Sequence, residues 1–130
     1  MPPSHIRSAY DEELKYLTRR ISEMGGLAEQ MCADAVRALV NSDAALAQKV
    51  ISEDVILDTA EREIGEKAIV TIARRQPMAA DLREIIGTLR IAADLERVLR
   101  QALQPTVLEV IDEGAAHAGH AGANAVGYGT

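Results

Sequence analysis

AIVTIARRQPMAADLREIIGTLRIAA, residues 68–93, decides the fold, because Gln76-Pro77 sits between two stretches of apolar periodicity. Proline has no amide donor and restricts the residue before it, so the pair ends one helix and resets the next. Upstream, the helix reaches back to about Ala44. Downstream, a helix starts near Met78 and runs through Leu82, Ile85, Ile86, Leu89 and Ala93 to about Ala102. Asn41-Ser42-Asp43 is a second stop and restart. Before it, Leu14, Leu17, Ile21, Met24, Ala28, Met31, Ala35 and Ala38 recur by three and four, behind a capping-box pattern at Ser8-x-x-Asp11. Short connections make neighbouring helices antiparallel, so the chain reads as an all-α, up-down-up three-helix bundle over residues 1–104.

Composition narrows the function. The 130 residues hold 14 Lys plus Arg against 20 Asp plus Glu, a net charge of −6 that argues against a nucleic-acid binder. One cysteine, Cys32, excludes a disulfide framework and a cysteine-based zinc module, and is read as a packing residue. No apolar run reaches the roughly 20 residues of a membrane span, and the N-terminus lacks an apolar signal core, so a cytoplasmic protein without membrane insertion is expected. Trp and Phe are absent. A core of Leu, Ile, Val, Met and Ala suits packed helices. No nucleophile–base pair or cofactor loop is evident, so no enzyme is expected.

The informative irregularity is acid on the apolar side. At about 100° per residue, Asp54, Asp58 and Glu61 fall in the arc of Val50, Leu57, Ala68 and Ile72. Glu96 and Arg100 lie on the stripe of Leu82, Ala93 and Leu103. A hairpin turning near Gln76 sets Asp54 opposite Val98 and Asp58 opposite Asp94, with Glu96 between them. Buried carboxylates need a cation or a proton. Two readings follow: Asp54, Asp58 and Glu96 hold a divalent metal or iron through oxygen ligands, or they are solvated or paired with Arg100. Arg74, Arg75 and Arg83 flank the hairpin, where they offset the helix dipole and pair with Asp81, or face an acidic partner or phosphate.

Three stretches, SAYDEELKYLTRRISEMGGLAEQM (8–31), ALAQKVISEDVILDTAEREI (45–64) and IARRQPMAADLREIIGTLRIAADLER (72–97), resemble the PhoU family of phosphate-transport and phosphate-signalling regulators. The resemblance covers about residues 4–97. It implies a non-enzymatic cytoplasmic accessory protein that binds a phosphate transporter and a phosphate-sensing histidine kinase. It also implies homodimers and metal held through (E/D)xxxD motifs, of which Asp54-x-x-x-Asp58 is one. A full-length member resembles two such three-helix repeats. In the second motif, family wording DLERxxD, this chain has Arg100 where the last Asp stands, which reverses a charge at a ligand position.

The last 26 residues have a different composition, with no Lys or Arg, five of the nine glycines, and both His117 and His120. Residues 96–130 resemble the start of a BolA-family domain, with Thr106–Ile111 as its first strand and HAGH as its loop. The alternative function this implies is an adaptor for a monothiol glutaredoxin in an iron–sulfur pathway, or a chimeric chain that keeps the bundle and no activity. Residues 105–130 are thus read as a separate tail, partly strand or disordered. His117 and His120 supply half of a tetrahedral metal site and form a weaker alternative centre.

Overall fold

The structure, a computed structural model, describes the backbone of residues 4–125 and the side chains of residues 7–119. It is all-α: α1 (Ser4–Asn41), α2 (Ala44–Arg75), α3 (Ala79–Val98), a five-residue π-helical turn (Leu99–Leu103) and α4 (Gln104–Ala125). No strand occurs among the described residues. Both helix stops coincide with the breaks read from the sequence. Ser42 takes a left-handed φ of 52°, and Asp43 donates its amide to the Ala38 carbonyl at 2.9 Å, closing α1 in a Schellman-type cap. Asp43 then caps α2, its Oδ1 accepting from the Leu46 amide at 3.1 Å. At the other end of α2, Gln76 has a φ of 45° before Pro77, and its amide reaches the Ile72 carbonyl at 3.1 Å.

The chain divides into two compact units, each built from three helical segments. One comprises Met1–Glu29 with Val55–Arg97, the other Gln30–Asp54 with Val98–Thr130. In the first, Leu17, Met24 and Ala28 of α1 are buried together with Leu57, Ala60, Ile64, Ala68 and Thr71 of α2 and Ile85 and Ala92 of α3. Ion pairs fix its direction. Glu13 pairs with Arg75 and Arg20 with Glu63, stepping backward along α2 as they step forward along α1, so these helices are antiparallel. In the second unit, Met31, Ala35 and Ala38 are buried along with Ala47, Val50, Leu99, Val107 and Val110. The three-and-four spacing read along α1 therefore marks its buried side, since Met24, Ala28, Met31, Ala35 and Ala38 are all within 5% of fully covered.

Several expectations need correcting. Ser8 lies inside α1 and caps nothing, because the helix already begins at Ser4. Ile85 is buried as read, but Ile86 and Ala93 are exposed and Ala92 is buried, so the inward side of α3 passes through Ile85 and Ala92. Cys32 is exposed. Most consequential is Thr106–Ile111, which is helix rather than strand. β-branched composition suggested a strand, but Leu103, Val107, Val110 and Gly114 recur at three and four, and Val107 and Val110 are buried. Amphipathic spacing outweighs intrinsic preference there. The helical run also passes through Pro105. A proline ring crowds the carbonyl four residues before it and cannot donate to it. The preceding turn widens to π geometry, with the Gln104 amide reaching the Leu99 carbonyl. Residues 126–130 of the tail, and the His120 side chain, lie outside the described residues.

Candidate functional site

Carboxylates gather in the first unit. Asp58 and Glu61 stand one turn apart on α2, and Glu96 comes from α3 across the hairpin. One carboxylate oxygen from each lies within 4.8 Å of the others, and all three residues are partly buried. Each also has an interaction partner of its own. The hairpin register thus brings Asp58 and Glu96 together, with Glu61 as the third member. Asp54 is not among these three residues: it belongs to the second unit, where its Oδ1 is buried without a hydrogen bond. Glu61 was visible on the same arc as Asp58. A three-residue step along a helix turns about 300° and keeps two side chains adjacent as well as a four-residue step does. Arg100 is exposed in the π turn of the second unit and has partners of its own.

Three clustered carboxylates repel one another unless positive charge stands beside them. An all-oxygen donor set of this kind suits a hard divalent cation. Protein groups answer other charges of the unit as well. Arg75 donates to Glu13 through Nε at 3.3 Å and Nη2 at 3.1 Å, and these bonds hold the Glu13 carboxyl below its usual range. Tyr10 donates to Asp81 at 2.9 Å. Burial, together with that carboxylate, pushes its phenol up to about 12. Arg75 and Asp81 therefore have partners on α1, not each other, and Arg83 turns back to the Ala79 carbonyl of its own helix. Arg74 and Arg75 do occupy the last turn of α2, where the dipole favours them.

The second unit holds a charged residue that the sequence pattern did not single out. Asp34 has no exposed surface, yet it lies on the arc of Met31, Ala35 and Ala38. It accepts from Lys49 at 2.9 Å, from Arg37, and from Gln30 at 3.0 Å. The Lys49 and Arg37 bonds outweigh desolvation and hold its carboxyl at about 2. Both cations remain more than half exposed, so their charge is hydrated while the carboxylate is sealed beneath them. The signal was available as an acid inside an otherwise unbroken apolar stripe. His117 also lies in this unit, exposed on α4.

The PhoU domain matches residues 21–104, about two thirds of the chain. The chain belongs to the PhoU family. Over 98 residues it is 83% identical to the phosphate-specific transport system accessory protein PhoU homolog of Rhizobium meliloti, covering 75% of this chain and 41% of that protein. The homolog of Caulobacter vibrioides is 46% identical over 93 residues, 72% of this chain and 40% of the relative. That of Pseudomonas putida is 36% identical over 118 residues, 89% of this chain and 46% of the relative. The chain thus spans less than half the length of these PhoU relatives. A stretch covering 89% of the chain necessarily runs past Gln104 into α4. With helix through Gln104–Ala125, the BolA resemblance of residues 96–130 is left without support.

Proposed function

We propose that this chain acts, without catalysis, as an accessory regulator of high-affinity phosphate uptake, binding the transporter from the cytoplasmic side. The observation that supports it most is the 83% identity, over 98 residues, to the Rhizobium meliloti accessory protein. The phosphate-sensing histidine kinase is a second partner on this reading. Among the described residues no helix is long and apolar enough to cross a membrane, so contact with the transporter is through helix faces. Val36, Leu39 and Val40, on one side of α1, are each at least half exposed and supply apolar area for it or for a second copy in a homodimer. The test is expression of the chain in a bacterium lacking its own PhoU protein and carrying a phosphate-starvation reporter. Restored repression in high phosphate is expected. An unrepressed reporter despite soluble chain at native levels would refute the proposal.

Asp58, Glu61 and Glu96 are proposed to hold one hard divalent cation, such as Mg²⁺ or Mn²⁺, or iron. Their converging oxygens support this, and the ion would offset their mutual repulsion. Elemental analysis of chain purified without chelator should give close to one ion per chain, falling in the D58N/E96Q variant. An equal metal content in the variant would remove the site.

A further inference from the structure

We propose that α4 and the α1–α2 turn form a second metal pocket, of different chemistry, which takes a borderline divalent transition ion such as Ni²⁺ or Zn²⁺ through His117 and Glu113. Ser42, Glu113, Gly114 and His117 line one cavity of about 240 Å³, all within the second unit. Glu113 and His117 are four residues apart on α4 and therefore share a helix face. The His117 ring is oriented by the backbone, with Nδ1 at 3.0 Å from the Glu113 carbonyl oxygen. A carbonyl only accepts, so Nδ1 carries the proton, and the neutral ring keeps its lone pair on Nε2. A histidine ligand is commonly prepared in this way, one nitrogen held by a backbone acceptor and the other presented to the metal.

The opposite wall is fixed by close packing. A Cβ placed on Gly114 would lie 2.8 Å from the Ala44 Cβ, so glycine is what lets α4 approach the start of α2. Ser42, in its left-handed turn, lines the same cavity as the His–Glu pair. The neighbouring Asp43 carboxylate caps α2 through Oδ1. One water occupies roughly 30 Å³, so the cavity has room for an ion with several waters completing its shell. One imidazole nitrogen and one carboxylate favour Zn²⁺, Ni²⁺ or Cu²⁺ over the hard cations suited to the all-oxygen cluster. His120 follows three residues later in α4.

The test is titration of the isotope-labelled full chain, without a histidine tag, with paramagnetic Ni²⁺ followed by NMR. Selective broadening at Ser42, Glu113 and His117 is expected below one equivalent. The apparent affinity should fall at least roughly tenfold in H117Q and in E113Q. E113Q keeps the backbone carbonyl that orients the ring, so its loss reports the carboxylate alone. D58N/E96Q should bind Ni²⁺ as the parent chain does. Broadening centred on residues 58, 61 and 96 would overturn the proposal. So would E113Q binding like the parent, which would give the ion to the two histidines without this pocket. Circular dichroism of each variant shows that the helices are intact.

Discussion

Replacing helical glycines with alanine should stabilise the protein at four positions and fail to do so at a fifth. Gly25, Gly26, Gly65 and Gly87 lie inside helices, and a Cβ at any of them meets nothing within 4 Å. No glycine among the described residues has a positive φ, so alanine fits the backbone at each. Alanine gains about 0.8–1 kcal/mol over glycine in a helix interior. Gly114 carries the same intrinsic gain, but its Cβ would stand 2.8 Å from the Ala44 Cβ. Carbon atoms prefer about 3.5–4.0 Å, and both of these are fixed to backbone, so relief requires one helix to move. Overpacking of this kind costs about 1–3 kcal/mol, which leaves G114A destabilised by about 1 kcal/mol net. For a chain of this size that is roughly 3–5 °C of melting temperature downward, against a similar rise for G65A or G87A. Thermal unfolding followed by helical circular dichroism reads the difference directly. A rise in G114A equal to that of G65A would refute the close approach of α4 to the start of α2.

Three further outcomes follow from the charged groups. Asp34, held at about 2 against an unfolded value near 3.9, contributes stability that is fully present above about pH 4 and lost as pH falls toward 2. D34N should flatten the loss of urea midpoint across that window, and an unchanged pH profile would refute it. Glu13 and Arg75 keep only 11% and 17% of their side chains exposed, so E13Q, which discharges one partner, should cost roughly 2–3 kcal/mol in denaturant unfolding. A change under about 0.5 kcal/mol, on the scale of an exposed pair, would contradict that burial. Tyr10, pushed up to about 12, should make one tyrosine ionise well after the others in an ultraviolet titration, and Y10F should delete that late step.

The end of α1 and both ends of α2 were legible because each is marked by a local device: Asn41-Ser42-Asp43 with its cap, and Gln76-Pro77. The buried side of α1 was legible because the apolar spacing is nearly unbroken from Leu17 to Ala38. What local reading missed was decided by packing. Thr106–Ile111 has the composition of a strand, yet it is helical, with Val107 and Val110 buried on one side. Pro105 marked an end in sequence, but the chain absorbs it in a π turn and continues. The acidic cluster was half legible: hairpin register set Asp58 opposite Asp94 with Glu96 close by, while a four-residue motif drew attention to Asp54 and away from Glu61. Asp34 could have been noticed as an acid within the apolar stripe of α1, but its partner Lys49 lies on the next helix, where the spacing of α1 does not reach.

A chain of less than half the length of its PhoU relatives must still present a transporter-binding helical surface if it is to regulate uptake. The most direct test is the equilibrium binding of the purified chain to the detergent-solubilised phosphate-specific transporter, with the full-length Rhizobium meliloti relative alongside. Saturable binding that competes with the full-length protein is the predicted result. No binding by the folded chain, at concentrations where the full-length protein saturates the transporter, would contradict it.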